Sequence, residues 1–501
     1  MAQLSSSQQI KYGAVLSYIA LGINLLTGLL YTPWMINTIG RENYGLFTLA
    51  MSVITLFVFD FGLSNAVTRF ITKYLAEGNQ EKANNCLGLV YKLYFYIDIF
   101  FVILLSFVYF FIPQIYKELT TDEINSFKII YIVAAVFTVI SFPFIPVNGI
   151  LYANEKFIQV KICDVLHKLI IVGCMTACLL MGGGLYALVT INAIAGILTI
   201  IMKLWCIKKY TQMNVNFEYQ DKTQFKEILG FSVWSTVIAL CTRMIFTLAP
   251  TILGVFAGSV QIAIFGIANS LESYVFSFTN AIGGMFLPKV SKIISNGSGD
   301  VMSLMIKVGR IQLMIAGFVI GGFICVGNDF IYLWLGEGFY KSYLCAVLLI
   351  VPGFFQLPQE IGLQTIIAKN EVKYQAIVWI VMAILNVVLS FLLAWRFGAI
   401  GISASIFIAY FIRTIGLDIL FKRRLGLDIC YFFKEVFVKV GILLVLVIAI
   451  SLLINTLFNT TGVLSFVAKI LFFVVLYMLG IALVSNNYEK QLVKNILNYK
   501  H

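Results

Sequence analysis

The chain has 501 residues, of which 60% are hydrophobic and 12% are charged. A soluble globular protein carries roughly twice this share of charged residues, so the composition excludes that class and predicts an integral membrane protein. The net charge of +12 would suggest nucleic acid for a soluble protein. In a membrane protein it indicates lysine and arginine in loops that face anionic lipid, and we expect no nucleic-acid partner.

Fourteen segments are long and apolar enough to cross a bilayer, since a span needs about 20 apolar residues. The first has about twice the length of a signal-peptide core and no A-x-A site, so we expect it to be a retained transmembrane helix. The predicted spans are 12–38, 44–70, 87–112, 127–152, 160–182, 185–207, 228–256, 260–287, 305–334, 342–367, 374–395, 398–421, 431–457 and 463–485.

The distribution of positive charge predicts the orientation. Loops on the side of the N-terminus hold most of the lysine and arginine, including 208–227 and 422–434, whereas the opposite loops hold only five such residues. Positively charged loops stay in the cytoplasm. We therefore predict a multi-pass protein of the bacterial cytoplasmic membrane with both termini in the cytoplasm.

An internal repeat is visible at an offset of 216 to 221 residues. Pro33 matches Pro250, Tyr44-Gly45 matches Phe265-Gly266, and Gly182 matches Gly398. Because each copy holds six predicted spans, the copies have the same orientation and form parallel repeats.

The repeat predicts the domain organisation of an all-α polytopic protein. We expect an N-terminal lobe at 1–207, a cytoplasmic linker at 208–227, a C-terminal lobe at 228–421, and a helix pair with a tail at 422–501. The two six-helix lobes are expected to be related by a pseudo-two-fold axis. Prolines at corresponding places in both lobes, at 143 and 146 and again at 352 and 358, are expected to bend their helices.

The segment GRENYGLFTLAMSV…FDFGLSNAVTRFITKY and the organisation of twelve helices plus two resemble the Wzx-type oligosaccharide flippases of bacterial polysaccharide synthesis. These belong to the multidrug/oligosaccharidyl-lipid/polysaccharide exporter superfamily. The resemblance implies a V-shaped pair of lobes, as in multidrug (MATE) transporters, with a central cavity that alternates between the two faces. It also implies an undecaprenyl-diphosphate-linked oligosaccharide as substrate.

Cations inside the membrane are the candidates for gripping a diphosphate, because arginine binds two phosphate oxygens at once. Arg243 lies about 22 Å into the seventh predicted span by helical rise, and Glu272 in the eighth could pair with it. Arg413 and Lys168 are further candidates, although Lys168 could also extend its amine to the cytoplasmic surface. No cofactor is expected, and with only two histidines we expect no metal site within one chain.

Four acids lie in predicted spans: Asp60, Asp98, Glu272 and Glu360. A buried carboxylate can exchange a proton or hold a cation, so these residues are candidates for proton or sodium coupling or for gating. Asp60 has an alternative interpretation, because an aspartate just before Gly62 could cap a helix that restarts after a break. The residues alone leave both interpretations open.

The aromatic run that includes Tyr91, Phe95 and Tyr96 also has two interpretations. The rings could stack on sugars, or they could contact lipid, as aromatic residues do at the ends of membrane helices. Lys92 and Arg310 lie near the cytoplasmic ends of their spans, and we expect both to extend to the membrane surface.

Two other functions compete with a flippase. A multidrug or cation exporter of the same superfamily commonly has an acid in its first helix, whereas residues 12–40 contain no charge. An enzyme that joins lipid-linked sugars would need a large outer loop, and the longest here has about 15 residues. We therefore expect a transporter that is not an enzyme and acts as a monomer, with the bilayer, a lipid-linked substrate and other polysaccharide-assembly proteins as its partners.

Overall fold

The computed structural model describes residues 6–57, 63–280, 290, 293–294, 300–369, 371–457 and 462–491. All regular structure within these ranges is helical, and no strand occurs in them. The predicted all-α class is confirmed. In a bilayer this is the expected result, because a helix satisfies all of its backbone hydrogen bonds within itself.

The helices of the first half are named here in chain order. They are α1 (Ser6–Ile39), α2 (Arg41–Phe57), α3 (Leu63–Ala76), α4 (Gln80–Ile115), α5 (Thr121–Ser141), α6 (Val147–Ala153), α7 (Phe157–Leu180), α8 (Leu185–Tyr210), α9 (Lys222–Phe246), α10 (Ala249–Phe256) and α11 (Ser259–Asn280).

The helices of the second half are numbered on in chain order. They are α12 (Val301–Leu335), α13 (Tyr340–Ile350), α14 (Gly353–Gln356), α15 (Glu360–Ala368), α16 (Val372–Leu420), α17 (Ile429–Leu457) and α18 (Val463–Val484). Short 3₁₀ turns cover Phe142–Phe144, Glu337–Phe339 and Leu357–Gln359.

Within the described ranges, ten helical segments are long and apolar enough to cross a membrane. One of them, Val372–Leu425, contains two predicted spans, 374–395 and 398–421. The multi-pass membrane architecture is therefore confirmed, whereas the predicted number of fourteen spans stays a prediction.

Prolines break two of these segments where bending was expected. Helix α5 ends at Ser141 and α6 begins at Val147, with Pro143 and Pro146 between them. In the other half, α13 gives way to α14 after Pro352, and α15 follows a 3₁₀ turn that contains Pro358. A proline cannot donate the hydrogen bond that would continue the helix, so each pair shortens a helix in the same way.

Two matching glycines separate helices at another pair of positions. Gly182, between α7 and α8, has a φ of +80°, and Gly398, within α16, has a φ of +55°. Side chains disfavour this left-handed region, so glycine is required at both turns. At Gly398 the next amide, that of Ala399, donates to Oε1 of Gln261 at 3.1 Å.

The chain forms two compact units. Unit 1 comprises residues 1–266 and 390–399, and unit 2 comprises 267–389 and 400–501. One buried cluster of unit 1 packs α6 and α7 against α8 through Val147, Leu151, Val160, Cys163 and Cys206. The predicted lobe boundaries at 207 and 228 stay a prediction.

The connection between α8 and α9 is tied to α4. Asn214 donates its backbone N–H to Oδ1 of Asn84 at 3.0 Å, and Asn216 donates its side-chain amide to Oδ1 of Asn85 at 2.7 Å. Gly88 lies beneath this contact, because a Cβ there would be 1.7 Å from the carbonyl oxygen of Asn216. Residues 212–219, called the strap below, therefore follow the surface of α4.

The strap ends at the cap of α9. The Asp221 carboxylate accepts hydrogen bonds from the backbone N–H of Thr223 at 2.7 Å and of Gln224 at 3.1 Å. Both hydrogen bonds lower the pKa of Asp221, and the bond from Gln224 has the larger effect. Burial raises the pKa of Tyr219, and its hydroxyl donates to Asp221 at 3.2 Å.

Candidate functional site

A buried arginine lies between two aromatic rings in unit 2. Arg413 is only 8% exposed, and its guanidinium carbon lies 4.6 Å from the ring centre of Trp379 and 5.0 Å from that of Tyr410. Both distances are in the cation–π range. The Nε of Arg413 has no hydrogen-bond partner among the described residues. The rings therefore fix the plane of a guanidinium that still has a donor available.

Two of the predicted acids belong to the same unit as this arginine. Glu272 on α11 is 9% exposed, and Glu360 opens α15, where it accepts a hydrogen bond from Gln364 at 2.6 Å. Glu360 interacts electrostatically with Arg413, and Glu272 interacts with Tyr410. Arg413 thus lies beside Tyr410, and each of the two acids interacts with one member of this pair.

Arg243 lies on α9 in unit 1 and is half-buried. Its Nη1 donates to the backbone carbonyl of Thr55 on α2. Asp98, on α4 of the same unit, is 9% exposed, and its Oδ1 has no hydrogen-bond partner among the described residues. Of these two predicted site residues, the arginine is engaged by α2, and the carboxylate is buried with an oxygen that lacks a partner among the described residues.

The surroundings of Lys168 differ from those that the sequence suggested. Asp164, one turn away, pairs with Lys203 of α8 at 2.8 Å, while the side chain of Lys168 is exposed. The adjacent His167 places its Nδ1 2.7 Å from the hydroxyl of Thr199. The carboxylate and the imidazole next to Lys168 thus join α7 to α8, and the role of Lys168 stays a prediction.

Asp60 and Gly62 lie outside the described residues. Neither the coupling nor the capping interpretation of Asp60 is therefore tested.

Residues that the sequence reasoning missed include both aromatic partners of Arg413. Tyr410 precedes Arg413 by three positions, and residues at this spacing are neighbours on a helix. This signal was available in the sequence. Trp379 comes from the other part of α16, beyond the turn at Gly398, and no local pattern indicates that contact.

Arg310 has a buried ion-pair partner that the sequence did not indicate. Arg310 is 6% exposed and makes an ion pair with Glu489, with Nε–Oε1 at 2.6 Å and Nη2–Oε2 at 3.2 Å. It also donates to the carbonyl of Glu435 at 3.0 Å. A guanidinium held by two carboxylate oxygens in a buried position connects α12 to the segment after α18.

The sequence of the chain matches the model of the family described as polysaccharide biosynthesis protein over residues 11–294. The uncharacterized membrane protein EpsK of Bacillus subtilis (strain 168) is 23% identical to it over 436 residues, which cover 81% of each protein.

Among solved structures, the lipid II flippase MurJ in an inward closed conformation has a TM-score of 0.68 at 15% identity, covering 97% of this chain and 99% of that one. A multidrug resistance MATE family transporter in an inward-facing conformation has a TM-score of 0.66 at 14% identity, covering 84% of this chain and 100% of that one. At these identities the likeness shows the fold, and the predicted MATE-like, all-α polytopic fold is confirmed.

Proposed function

Since this chain belongs to the polysaccharide biosynthesis protein family, we propose that it is a flippase for undecaprenyl-diphosphate-linked oligosaccharide repeat units. It moves them from the inner to the outer leaflet of the bacterial cytoplasmic membrane by alternating access. The family match over residues 11–294 carries this proposal. The likeness over 97% of the chain to a protein described as a lipid II flippase supports it, because the same fold serves a flippase there.

The chemistry of a diphosphate substrate accounts for the buried arginines. A diphosphate cannot enter an apolar medium unless cations offset its desolvation. Arg413 suits this task, since Trp379 and Tyr410 hold its guanidinium plane and a planar fork binds two phosphate oxygens at once. Arg243 and Lys168 are the cations of unit 1 that we assign to the same task.

The acids Asp60, Asp98, Glu272 and Glu360 are proposed for coupling or gating. Glu272 and Asp98 are the buried members with described positions. A carboxylate in such surroundings binds a proton or a cation to lower its own desolvation cost, so its occupancy can follow a proton or sodium gradient. No cofactor is required for this cycle.

The organisation of the chain follows from the same proposal. We assign both termini to the cytoplasm, the lobes to residues 1–207 and 228–421, and the linker to 208–227. The chain works as a monomer beside the other proteins of polysaccharide assembly.

An exporter of drugs or cations is the alternative, and the MATE family transporter of the same fold favours it. The absence of any charged residue from 12–40 weighs against it, because exporters of that branch commonly have an acid in the first helix.

The Arg243→Ala variant tests the flippase. In a strain that lacks the native gene, we expect it to reach the membrane normally but to lower surface polysaccharide at least tenfold. The matched control is Arg396→Ala, which removes an exposed arginine and should leave export unchanged. Normal export by Arg243→Ala would remove Arg243 from the substrate site. Wild-type protein that exports cationic dyes but no polysaccharide would support the exporter instead.

The Asp60→Asn variant separates the two interpretations of Asp60. Asparagine caps a helix nearly as well as aspartate but does not titrate. Loss of transport at normal expression would support coupling, whereas full transport would support the cap.

A further inference from the structure

A cavity of about 720 Å³ lies where the strap crosses α4 in unit 1. Aromatic rings form most of its wall: Tyr91, Phe95 and Tyr96 from α4, Phe144 from the turn after α5, and Phe217 from the strap. Tyr91 and Phe217 meet edge to face, with ring centres 6.3 Å apart. The strap thus turns one side of a helix into a half-open pocket, called the strap cavity below.

Lys92 is the charged residue among those that line this cavity. Its Nζ donates to the carbonyl of Tyr219 at 3.1 Å, which places the ammonium beside the strap. A lysine ammonium has three N–H donors, so this bond leaves two for a ligand. The neighbouring Asp221 accepts hydrogen bonds from the cap of α9 and from Tyr219. The cavity therefore offers a positive charge to an anion.

The cavity also lies at the boundary between the polar and apolar parts of α4. The helix begins with the polar residues Gln80, Glu81 and Lys82. Large apolar side chains are exposed on it from Phe95 onwards, at 60%, and as far as Phe111, at 41%. By a rise of 1.5 Å per residue, this stripe is about 24 Å long, close to the thickness of a bilayer's hydrocarbon core.

We propose that the strap cavity binds the phosphate headgroup of an anionic phospholipid, whose acyl chains follow the exposed stripe of α4 towards Phe111. Lys92 pairs with the phosphate, since lysine is a common phosphate ligand. The surrounding tyrosine and phenylalanine rings suit the headgroup level of a bilayer, where aromatic side chains are enriched. The positive-inside distribution assigns this lipid to the cytoplasmic leaflet.

This site is independent of the proposed transport function, because it needs neither the arginines nor the acids discussed above. Besides Lys92, its polar groups are the amide of Gln220 and the hydroxyls of Tyr91 and Tyr96. A lipid fits it better than a free sugar, because the exposed apolar stripe of α4 begins at the cavity and can hold acyl chains. A bound lipid would also contact Phe217, and the strap would then sense the composition of the membrane.

Native mass spectrometry of the full-length protein tests the proposal, with phosphatidylglycerol and phosphatidylcholine as probes. Wild-type protein should bind phosphatidylglycerol at least fivefold more tightly, and Lys92→Gln should lose this preference. Lys92→Arg keeps the charge and should restore it. The matched control is Lys82→Gln, which removes an exposed lysine from the same helix and should behave like wild type.

Equal binding of the two lipids by wild-type protein would overturn the proposal, as would full phosphatidylglycerol selectivity in Lys92→Gln. Undecaprenyl phosphate is the third probe. Undecaprenyl phosphate could bind the cavity more tightly than phosphatidylglycerol and lose affinity in Lys92→Gln. In that case the cavity is a loading point for an isoprenoid lipid, and the phospholipid assignment is wrong. Displacement by inorganic phosphate at millimolar concentration would show that the chains contribute nothing, and would also overturn it.

Discussion

Replacing Gly88 by alanine should detach the strap from α4. A Cβ at this position would be 1.7 Å from the carbonyl oxygen of Asn216, whereas such contacts stay beyond 3.0 Å. The obstacle is backbone rather than a flexible side-chain end, so the strap must move by more than an ångström.

That movement breaks the two hydrogen bonds that Asn216 donates to α4, from its side chain to Asn85 at 2.7 Å and from its N–H to the carbonyl of Asn84 at 3.4 Å. At about 0.5–1.5 kcal/mol for each bond, the strap loses about 1–3 kcal/mol. Since 1.4 kcal/mol is a factor of ten in an equilibrium constant, the strap should open about 5 to 140 times more often.

Hydrogen exchange of peptides covering 211–221 measures this directly. For amides that close faster than they exchange, the rate follows the population of the open form, so exchange in Gly88→Ala should rise by the same factor. Gly173→Ala is the matched control, because nothing lies within 4 Å of a Cβ there and alanine favours a helix. Exchange within twofold of wild type in Gly88→Ala would refute the strap contact.

Three further substitutions test buried contacts. Arg310→Met leaves the Glu489 carboxylate buried without its partner, which costs about 3–5 kcal/mol, so the melting temperature in detergent should fall. Adding Glu489→Leu removes the unpaired carboxylate and should restore more than half of the loss. A further fall in the double variant would contradict this account. Arg413→Lys keeps the charge but loses the planar stacking, and transport should drop at least tenfold at normal expression; unchanged transport would remove the guanidinium plane from the site. Gly398→Ala forces a side chain into a φ of +55° and places its Cβ 2.7 Å from Oε1 of Gln261. Gly182→Ala has an unfavourable φ too, but open space surrounds its Cβ. Gly398→Ala should therefore lower the melting temperature more, and equal losses would show that Gln261 moves aside at little cost.

The sequence by itself determined the all-helical membrane architecture and several helix ends. Hydropathy is a local property, and a segment of this length and composition satisfies its backbone in lipid only as a helix. Pro143 and Pro352 marked real breaks for the same reason, because the missing N–H acts within one turn. Gly182 and Gly398, matched by the repeat, both have the positive φ that favours glycine.

Only the tertiary structure decided which side chains meet. Arg310 pairs with Glu489, 179 residues away, and no local pattern indicates that contact. Arg413 was a candidate from its depth alone, while its orientation comes from Trp379 across a turn. In a chain that is apolar on most faces, the hydrophobic pattern does not distinguish a face that packs on protein from one that contacts lipid. The direction in which each charge points is therefore set by the packing of helices that lie far apart in the sequence.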